Sequence, residues 1–182
     1  MNAFTLKSSV LRIGAVLAGM ALLAVTPVSL SQAADGAPEV GAIAAKPKSK
    51  TVKATDRAMQ KLKQTEQRWI EINLTNQRLI AWEGNTPVYA VVVSTGKAKT
   101  PTLTGVFEVQ HKFRTKRMQG SDYDVPNVPF TMFYDGNYAI HGAYWHNRFG
   151  TPVSHGCVNV AVNHAKWLYK WADVGTPVVV RK

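Results

Sequence analysis

The residues best suited to chemistry lie in the segment 141–159, HGAYWHNRFGTPVSHGCVN, which holds three of the five histidines and the single cysteine of the chain. A thiol with a pKa of about 8.5 is only slightly ionised at neutral pH, so a nucleophilic cysteine needs a basic or positively charged neighbour. Either His141, sixteen residues before Cys157, or His155, two residues before it, could be that neighbour. The segment therefore predicts nucleophilic catalysis by Cys157.

Two glycines of the segment bear on how a reacting carbonyl group would be stabilised. Gly142 follows His141, and Gly156 directly precedes Cys157. A residue without a side chain permits close backbone approach and lets amide groups turn toward one point, as an oxyanion hole requires. Together with the cysteine, these glycines indicate acyl transfer.

Two other interpretations of the cysteine start from the same residues. The cysteine count alone favours a passive, buried side chain, and such a thiol would react slowly with an alkylating agent at neutral pH, whereas an activated one would react fast. His141, His155 and Cys157 also number three, which suits catalytic zinc. His-x-Cys is not a recurrent zinc spacing, however, so neither a metal nor another cofactor is predicted.

The wider pattern resembles a known family. Ser154-His155-Gly156-Cys157-Val158-Asn159, with the upstream His141, is similar to the signature of the YkuD-type L,D-transpeptidases. The resemblance continues in three further blocks, which are Ser94-Thr95-Gly96, Pro101-Thr102 with Thr104-Gly105-Val106-Phe107, and Ala139-Ile140-His141-Gly142. It covers the chain from about Arg68 to Val180, and four ordered blocks are far more specific than one motif.

The resemblance implies a mainly β fold, a mixed β-sandwich with one helix after the catalytic cysteine. It also implies that Cys157 is the nucleophile and that His141 takes its proton and later protonates the leaving amine. The family pattern places oxyanion donors on the backbone at His155, Gly156 and Cys157, and it uses the Gly142 carbonyl to orient His141.

The implied substrate is a stem peptide of peptidoglycan. The cysteine would attack the amide between the third, diamino residue and D-Ala, release D-Ala and form a thioester, which the amine of a second stem would resolve as a 3-3 cross-link. Water, a lysine of an envelope protein or a free D-amino acid could resolve the same thioester, and the sequence leaves this choice open. Carbapenem-type β-lactams are expected to acylate Cys157.

Four further residues are expected at the substrate site. Tyr123 and Trp145 match family positions that carry pocket aromatics, although aromatic residues of a β domain are equally often core residues. Ser154 and Asn159 are expected to hold the motif in shape. The remaining histidines are interpreted as structural or surface residues; they are His111, His146 and His164.

A non-catalytic wall-binding module is the rival from another functional class. In it, Tyr123, Trp145 and Trp82 would hold glycan or peptide, and Cys157 would be passive. Retention of the whole Ser-His-Gly-Cys motif argues against this interpretation.

The elements that must position these residues are predicted mainly as strands. Apolar and β-branched patterns predict them over residues 69–74, 79–83, 88–94, 106–110, 130–133, 138–141 and 177–180. Helical spacing from Val162 to Ala172 predicts one helix after the cysteine, with Gly175 as its stop. Residues 114–129 show no periodicity and contain two prolines, so they are predicted to form a long loop, such as a lid.

The N-terminus predicts export. Lys7 and Arg12 precede an apolar run over 13–25, and the small residues at 31–33 suit a signal peptidase, so residues 1–33 are predicted to be a signal peptide. An uncleaved membrane anchor is the alternative, because apolar character continues beyond that run. The protein is therefore expected to be exported, to the periplasm or the cell wall.

Composition divides the rest of the chain. Residues 34–67 are predicted to be a basic Ala/Lys/Pro linker whose last part, 54–67, can form a short helix, and residues 68–182 the catalytic domain. The chain has 22 Lys and Arg against 11 Asp and Glu, a balance that favours acidic polymers. Because export separates the protein from cytoplasmic nucleic acid, nucleic acid is excluded as a partner. The protein is expected to be a monomer. Four linker lysines predict a tether to anionic wall polymer: Lys46, Lys48, Lys50 and Lys53.

Overall fold

Nine strands and two helices make up residues 50–182, the part of the chain that the computed structural model describes. The helices are α1 (Lys50–Lys63) and α2 (Val162–Trp171). The strands are β1 (Arg68–Asn73), β2 (Arg78–Glu83), β3 (Thr86–Val92), β4 (Gly105–Glu108), β5 (His111–Gln119), β6 (Asp124–Asp135), β7 (Tyr138–Gly142), β8 (Val158–Val160) and β9 (Pro177–Arg181). The predicted signal peptide, 1–33, and the first part of the predicted linker lie outside the described residues.

The strands form two mixed sheets. The five-stranded sheet has the order β3-β2-β1-β9-β4, in which β1 and β9 are parallel and the other pairs antiparallel. The four-stranded sheet has the order β5-β6-β7-β8, with β7 and β8 parallel. The parallel pairs join segments that are far apart in sequence, which places the motif segment at the edge of the second sheet.

The core lies between the sheets and under α2. Ile70 and Val178 contribute from the first sheet, Met132 and Val158 from the second, and Leu168 from α2, and all five are fully buried in one apolar cluster. Burying such side chains is the dominant favourable term in folding. The predicted mainly β fold, a mixed β-sandwich with a helix after the cysteine, is confirmed.

The predicted loop over 114–129 is wrong, because these residues form the arms of a β-hairpin. β5 and β6 pair antiparallel from His111 opposite Phe133 out to Gln119 opposite Asp124, with a register shift between Lys116 and Met118. Most side chains of β5 are exposed on both faces, so the strand has no alternation of apolar and polar residues for sequence reasoning to detect.

Helix α1 begins within the segment that composition assigns to the flexible linker. It takes in Lys50 and Lys53 and packs against β4 and β9. Its one buried residue is Thr55, whose hydroxyl donates to the carbonyls of Thr51 and Val52. The helix thus belongs to the folded unit. Neither helix within residues 50–182 is long and apolar enough to cross a membrane.

Candidate active site

A cleft of about 320 Å³ brings together most of the residues that the sequence singled out. Seven predicted site residues line it, which are Tyr123, His141, Trp145, Ser154, His155, Cys157 and Asn159. It is completed by five residues without a predicted role, which are Met118, Val125, His146, Arg148 and Val153. The predicted glycines shape its backbone.

Pairing between β7 and β8 brings together two segments that contain His141 and Cys157, which are sixteen residues apart in the sequence. In this parallel pair His141 lies opposite Asn159, two residues after Cys157. Neighbouring strands are about 4.8 Å apart, so this register places the two reactive side chains at the same sheet edge. β8 has only three residues and was not predicted, although it begins directly after the cysteine.

His141 is a buried, neutral imidazole. It is 2% exposed, its Nδ1–H donates to the Gly142 carbonyl at 3.1 Å, and its ring stacks on Trp145 with 5.7 Å between ring centroids. Burial lowers the pKa of His141 to about 4. Because Nδ1 carries the proton, Nε2 has a free lone pair at neutral pH, as a general base requires.

Cys157 is half-buried and protonated in the resting site. Burial raises the pKa of its thiol to about 11, and a hydrogen bond with the Ala139 backbone opposes that rise in part. The thiol donates to the carbonyl of Asn137 at 3.5 Å. The site therefore holds a neutral thiol and a neutral imidazole at pH 7, and not a preformed ion pair.

Ser154 holds the backbone around the cysteine. Its hydroxyl donates to the Cys157 carbonyl and accepts from the Gly156 amide at 3.0 Å. The Gly156 carbonyl in turn accepts from Thr102 Oγ1 at 2.7 Å, and that oxygen accepts from the Gly96 amide at 2.9 Å. The Ser-Thr-Gly and Pro-Thr blocks of the sequence thus support the motif loop.

The amide of Gly156 is engaged inside this loop, and it is not free to bind an oxyanion. By contrast, the amides of His155 and Cys157 donate no hydrogen bond within residues 50–182. Of the three backbone donors that the family resemblance implies, two remain available.

His155 contacts the tip of the β5–β6 hairpin. Its Nε2 lies 3.0 Å from Asp122 Oδ2 and 3.2 Å from Lys97 Nζ, and its ring stacks on Tyr123 with 4.7 Å between centroids. Burial raises the pKa of Tyr123, with smaller contributions from Cys157 and Asp122. Because Asp122 and Lys97 already contact its Nε2, His155 is the weaker of the two candidate bases.

Sequence reasoning missed His146, which lines the cleft. Its Nε2 lies 2.9 Å from Asn159 Nδ2, and its Nδ1 accepts from the Arg148 amide at 3.2 Å. Burial and the nearby charge of Arg148 lower the pKa of His146. Its place in the motif segment, five residues after His141, was the only signal in the sequence.

The other two histidines lie outside the cleft, as interpreted. His164 contacts the Tyr89 hydroxyl at 2.7 Å, and His111 begins β5. Trp82 stacks on Trp69 with 5.2 Å between centroids, away from the cleft. Within residues 50–182, no three His, Cys, Asp or Glu side chains are grouped as metal ligands.

Comparison with known proteins points to one family. Residues 67–180 match the model of the L,D-transpeptidase catalytic domain, YkuD. L,D-transpeptidase 2 of Mycobacterium tuberculosis is 32% identical over 105 residues, which cover 51% of this chain and 26% of that protein. The chain spans less than two thirds of the length of the curated relatives it matches first.

Solved structures agree with the sequence comparison. The catalytic domain of the Enterococcus faecium L,D-transpeptidase is 30% identical, with a TM-score of 0.59, over 64% of this chain and 98% of that domain. The Ldtfm–avibactam carbamoyl enzyme is also 30% identical, with a TM-score of 0.60, over 64% of this chain and 49% of the other.

Proposed function

Because the chain belongs to the L,D-transpeptidase catalytic domain family, we propose that it is a peptidoglycan L,D-transpeptidase whose nucleophile is Cys157 and whose base is His141. The observation that carries the assignment is the β7–β8 pairing, which brings a buried neutral imidazole and the single cysteine to one cleft. The resemblance of the Ser-His-Gly-Cys segment to the family signature supports the same pair.

Acylation begins from the neutral pair. The sulfur of Cys157 attacks the carbonyl carbon of the amide between the diamino residue and D-Ala while His141 Nε2 takes the thiol proton. The resulting imidazolium then gives that proton to the amine of D-Ala as the C–N bond breaks. The products are free D-Ala and a thioester on Cys157.

The developing oxyanion is stabilised by the amides of His155 and Cys157. Both amides are free of other partners within the described residues, whereas the Gly156 amide holds the Ser154 hydroxyl. Preorganised donors of this kind are worth about 3–4 kcal/mol each in acyl transfer. In this proposal Gly156 acts through its backbone conformation and not through its amide.

Deacylation repeats the chemistry in reverse with a different amine. The amine of a second stem attacks the thioester carbon and gives a proton to His141. The C–S bond then breaks, the imidazolium returns the proton to the sulfur, and a 3-3 cross-link is left. The same thioester can be resolved by water, by a D-amino acid or by a lysine of an envelope protein.

Export completes the proposal. The signal peptide at 1–33 directs the protein to the periplasm or cell wall, where peptidoglycan is found, and the linker lysines before Lys50 contact anionic wall polymer. Residues 68–182 form the catalytic domain and act as a monomer. Helix α1 joins that domain as its N-terminal extension.

The decisive test compares residues 34–182 of the wild type with Cys157→Ala and His141→Gln on purified tetrapeptide muropeptides, followed by mass spectrometry. Release of D-Ala with dimer formation is expected only from the wild type, with losses of at least about a thousandfold in each variant. His164→Gln is the matched control, because His164 contacts Tyr89 outside the cleft.

The alternative outcomes separate the remaining activities. Cysteine-dependent release of D-Ala without dimers would indicate hydrolysis or a missing acceptor. Absence of any reaction in the wild type would contradict the proposal and favour a wall-binding module.

Alkylation at neutral pH does not separate an active from a passive thiol here. Because burial raises the pKa of the Cys157 thiol to about 11, slow alkylation is expected of the resting site under both interpretations. A β-lactam is a sharper probe, because its ring opens only when the sulfur attacks the ring carbonyl, the oxyanion donors bind the carbonyl oxygen, and the base passes the thiol proton to the ring nitrogen. Covalent modification of a relative by avibactam supports the expectation that a carbapenem adds one mass equivalent to the wild type and none to Cys157→Ala.

A further inference from the structure

Arg148 is the charged lining residue for which the proposed reaction has no role. Its side chain is exposed and lines the cleft that contains Cys157. Within residues 50–182 the Arg148 guanidinium makes no ion pair. The cationic side chains that do pair with a carboxylate there are Arg68, Arg117, His155 and Arg181. A cation of this kind, at a cleft and without a partner, is available to a ligand.

The charges around the cleft favour an anion. Of the described residues that line it, Arg148 alone has a permanent charge, and none is acidic. His141 and His146 are both buried enough to lower their pKa, so they are neutral at pH 7. At the rim, Asp122 and Lys97 carry opposite charges and both contact the same imidazole. The one permanent charge among the lining residues is therefore positive, and it lies close enough to His146 to lower the pKa of that imidazole.

The backbone of Arg148 is held on both sides. Its carbonyl accepts from the fully buried hydroxyl of Ser94 at 2.7 Å, and its amide donates to His146 Nδ1 at 3.2 Å. His146 in turn contacts Asn159 on β8, the strand that follows Cys157. The backbone of Arg148 is thus linked through His146 and Asn159 to the strand that follows the proposed nucleophile.

We propose that Arg148 binds a carboxylate of the acyl donor and makes the enzyme selective for donors that carry that charge. The inference rests on the proposed function and adds a specificity residue to it. A planar guanidinium offers two parallel N–H donors that match a carboxylate, which an ammonium or an amide cannot do. The donor can supply such a group at the free C-terminus of the leaving D-Ala or on the side chain of the diamino residue.

The test measures kcat/KM for D-Ala release from three donors by wild type, Arg148→Gln and Arg148→Lys. One donor has both carboxylates, one has a C-terminal amide, and one has an amidated diamino side chain. Arg148→Gln should lower kcat/KM for the first donor by roughly ten- to a hundredfold, because a hydrogen-bonded charge pair is lost. The kcat/KM of Arg148→Lys for this donor should lie between the values of the wild type and Arg148→Gln. Whichever amidated donor shows no such loss identifies the carboxylate that Arg148 binds.

Arg114→Gln is the matched control, because it removes the same charge from β5 outside the cleft. An equal loss in Arg114→Gln and Arg148→Gln would show a general effect of net charge and would overturn the inference. The same loss on all three donors would overturn it as well. If the wild type releases D-Ala from none of them, the proposed function fails and the inference fails with it.

A second readout does not depend on the proposed reaction. Cys157 is the only thiol of the chain, so its alkylation by anionic iodoacetate and by neutral iodoacetamide can be followed by intact mass. At alkaline pH, Arg148→Gln should lower the ratio of the iodoacetate rate to the iodoacetamide rate by roughly two- to fivefold, and Arg114→Gln should not. An unchanged ratio in Arg148→Gln would place the guanidinium too far from the sulfur and contradict the proposal.

Discussion

At the scale of single residues, burial sets the protonation states of Cys157 and His141, the proposed nucleophile and base. Burial moves the pKa of Cys157 up to about 11 and that of His141 down to about 4, so both groups are uncharged over a wide range of pH. Many cysteine nucleophiles are instead ionised beside a positively charged histidine. In the proposed reaction the charge separation occurs during attack, so the reaction depends on the proposed oxyanion donors and on the orientation of His141.

The depressed pKa of His141 predicts acid sensitivity of the fold. The folded pKa of about 4 lies below the unfolded value of 6.5, so the unfolded chain binds the extra proton as pH falls below 6.5. Between pH 7 and pH 5 the free energy of unfolding should fall by about 2 kcal/mol on this account. Urea unfolding at the two pH values would measure it, with His141→Gln as the reference that lacks this titration. Equal pH dependence in both proteins would contradict the buried, neutral state of His141.

At the scale of elements, the loop before β8 has a conformation that only glycine suits. Gly156 has φ +122°, and a Cβ built there would lie 2.8 Å from Cε1 of Tyr138 on β7. Both the backbone and the available space therefore disfavour a side chain. The loop ends at the nucleophile, so any shift in it displaces the Cys157 amide as well as the thiol.

Gly156→Ala should therefore cost both stability and activity. The strained φ and the contact with Tyr138 are expected to lower the free energy of unfolding by roughly 2–3 kcal/mol, and kcat/KM should fall with it. Gly136→Ala is the control, since Gly136 has φ +48° in a turn and nothing within 4 Å of its added Cβ. Thermal melts and D-Ala release would be compared, and activity retained by Gly156→Ala would show that the loop geometry is not needed for catalysis.

At the scale of the whole molecule, the two ends of the catalytic domain are joined in one sheet. β1 pairs in parallel with β9, in a register that sets Ile70 opposite Val178 and Asn73 opposite Arg181. Arg181 also donates to Glu71 Oε1 at 2.7 Å, and Glu71 is only 5% exposed. The buried carboxylate accepts a further bond from Trp82 Nε1. This closure fixes the first sheet, on which the second packs.

Arg181→Met should destabilise the whole domain, because it leaves the Glu71 carboxylate buried without its cation. A loss of roughly 2–3 kcal/mol in the free energy of unfolding is expected, less than for a fully buried pair because Arg181 is partly exposed. Arg117→Met removes an exposed ion pair with Asp124 and should have a far smaller effect. Denaturant unfolding would show the difference, and equal effects would mean that burial of Glu71 adds nothing to the pair.

The sequence by itself determined the family, the fold class and seven of the twelve residues that line the cleft. The signature around Cys157, the upstream His141 and most strands are local patterns, whose period or composition can be read within a few residues. The mixed β-sandwich followed from the resemblance and is confirmed, and the assignment of catalytic roles stays a prediction.

Tertiary structure decided what depends on partners distant in sequence. Register between β7 and β8 places His141 opposite Asn159, two residues after Cys157, whereas Asp122 and Lys97 contact His155. This arrangement favours His141 over His155 as the proposed base. The β5–β6 hairpin escaped prediction because its exposed faces carry no hydrophobic alternation. Burial, and with it the pKa of both reactive groups, arises only when distant strands pack together, and no local pattern encodes that packing.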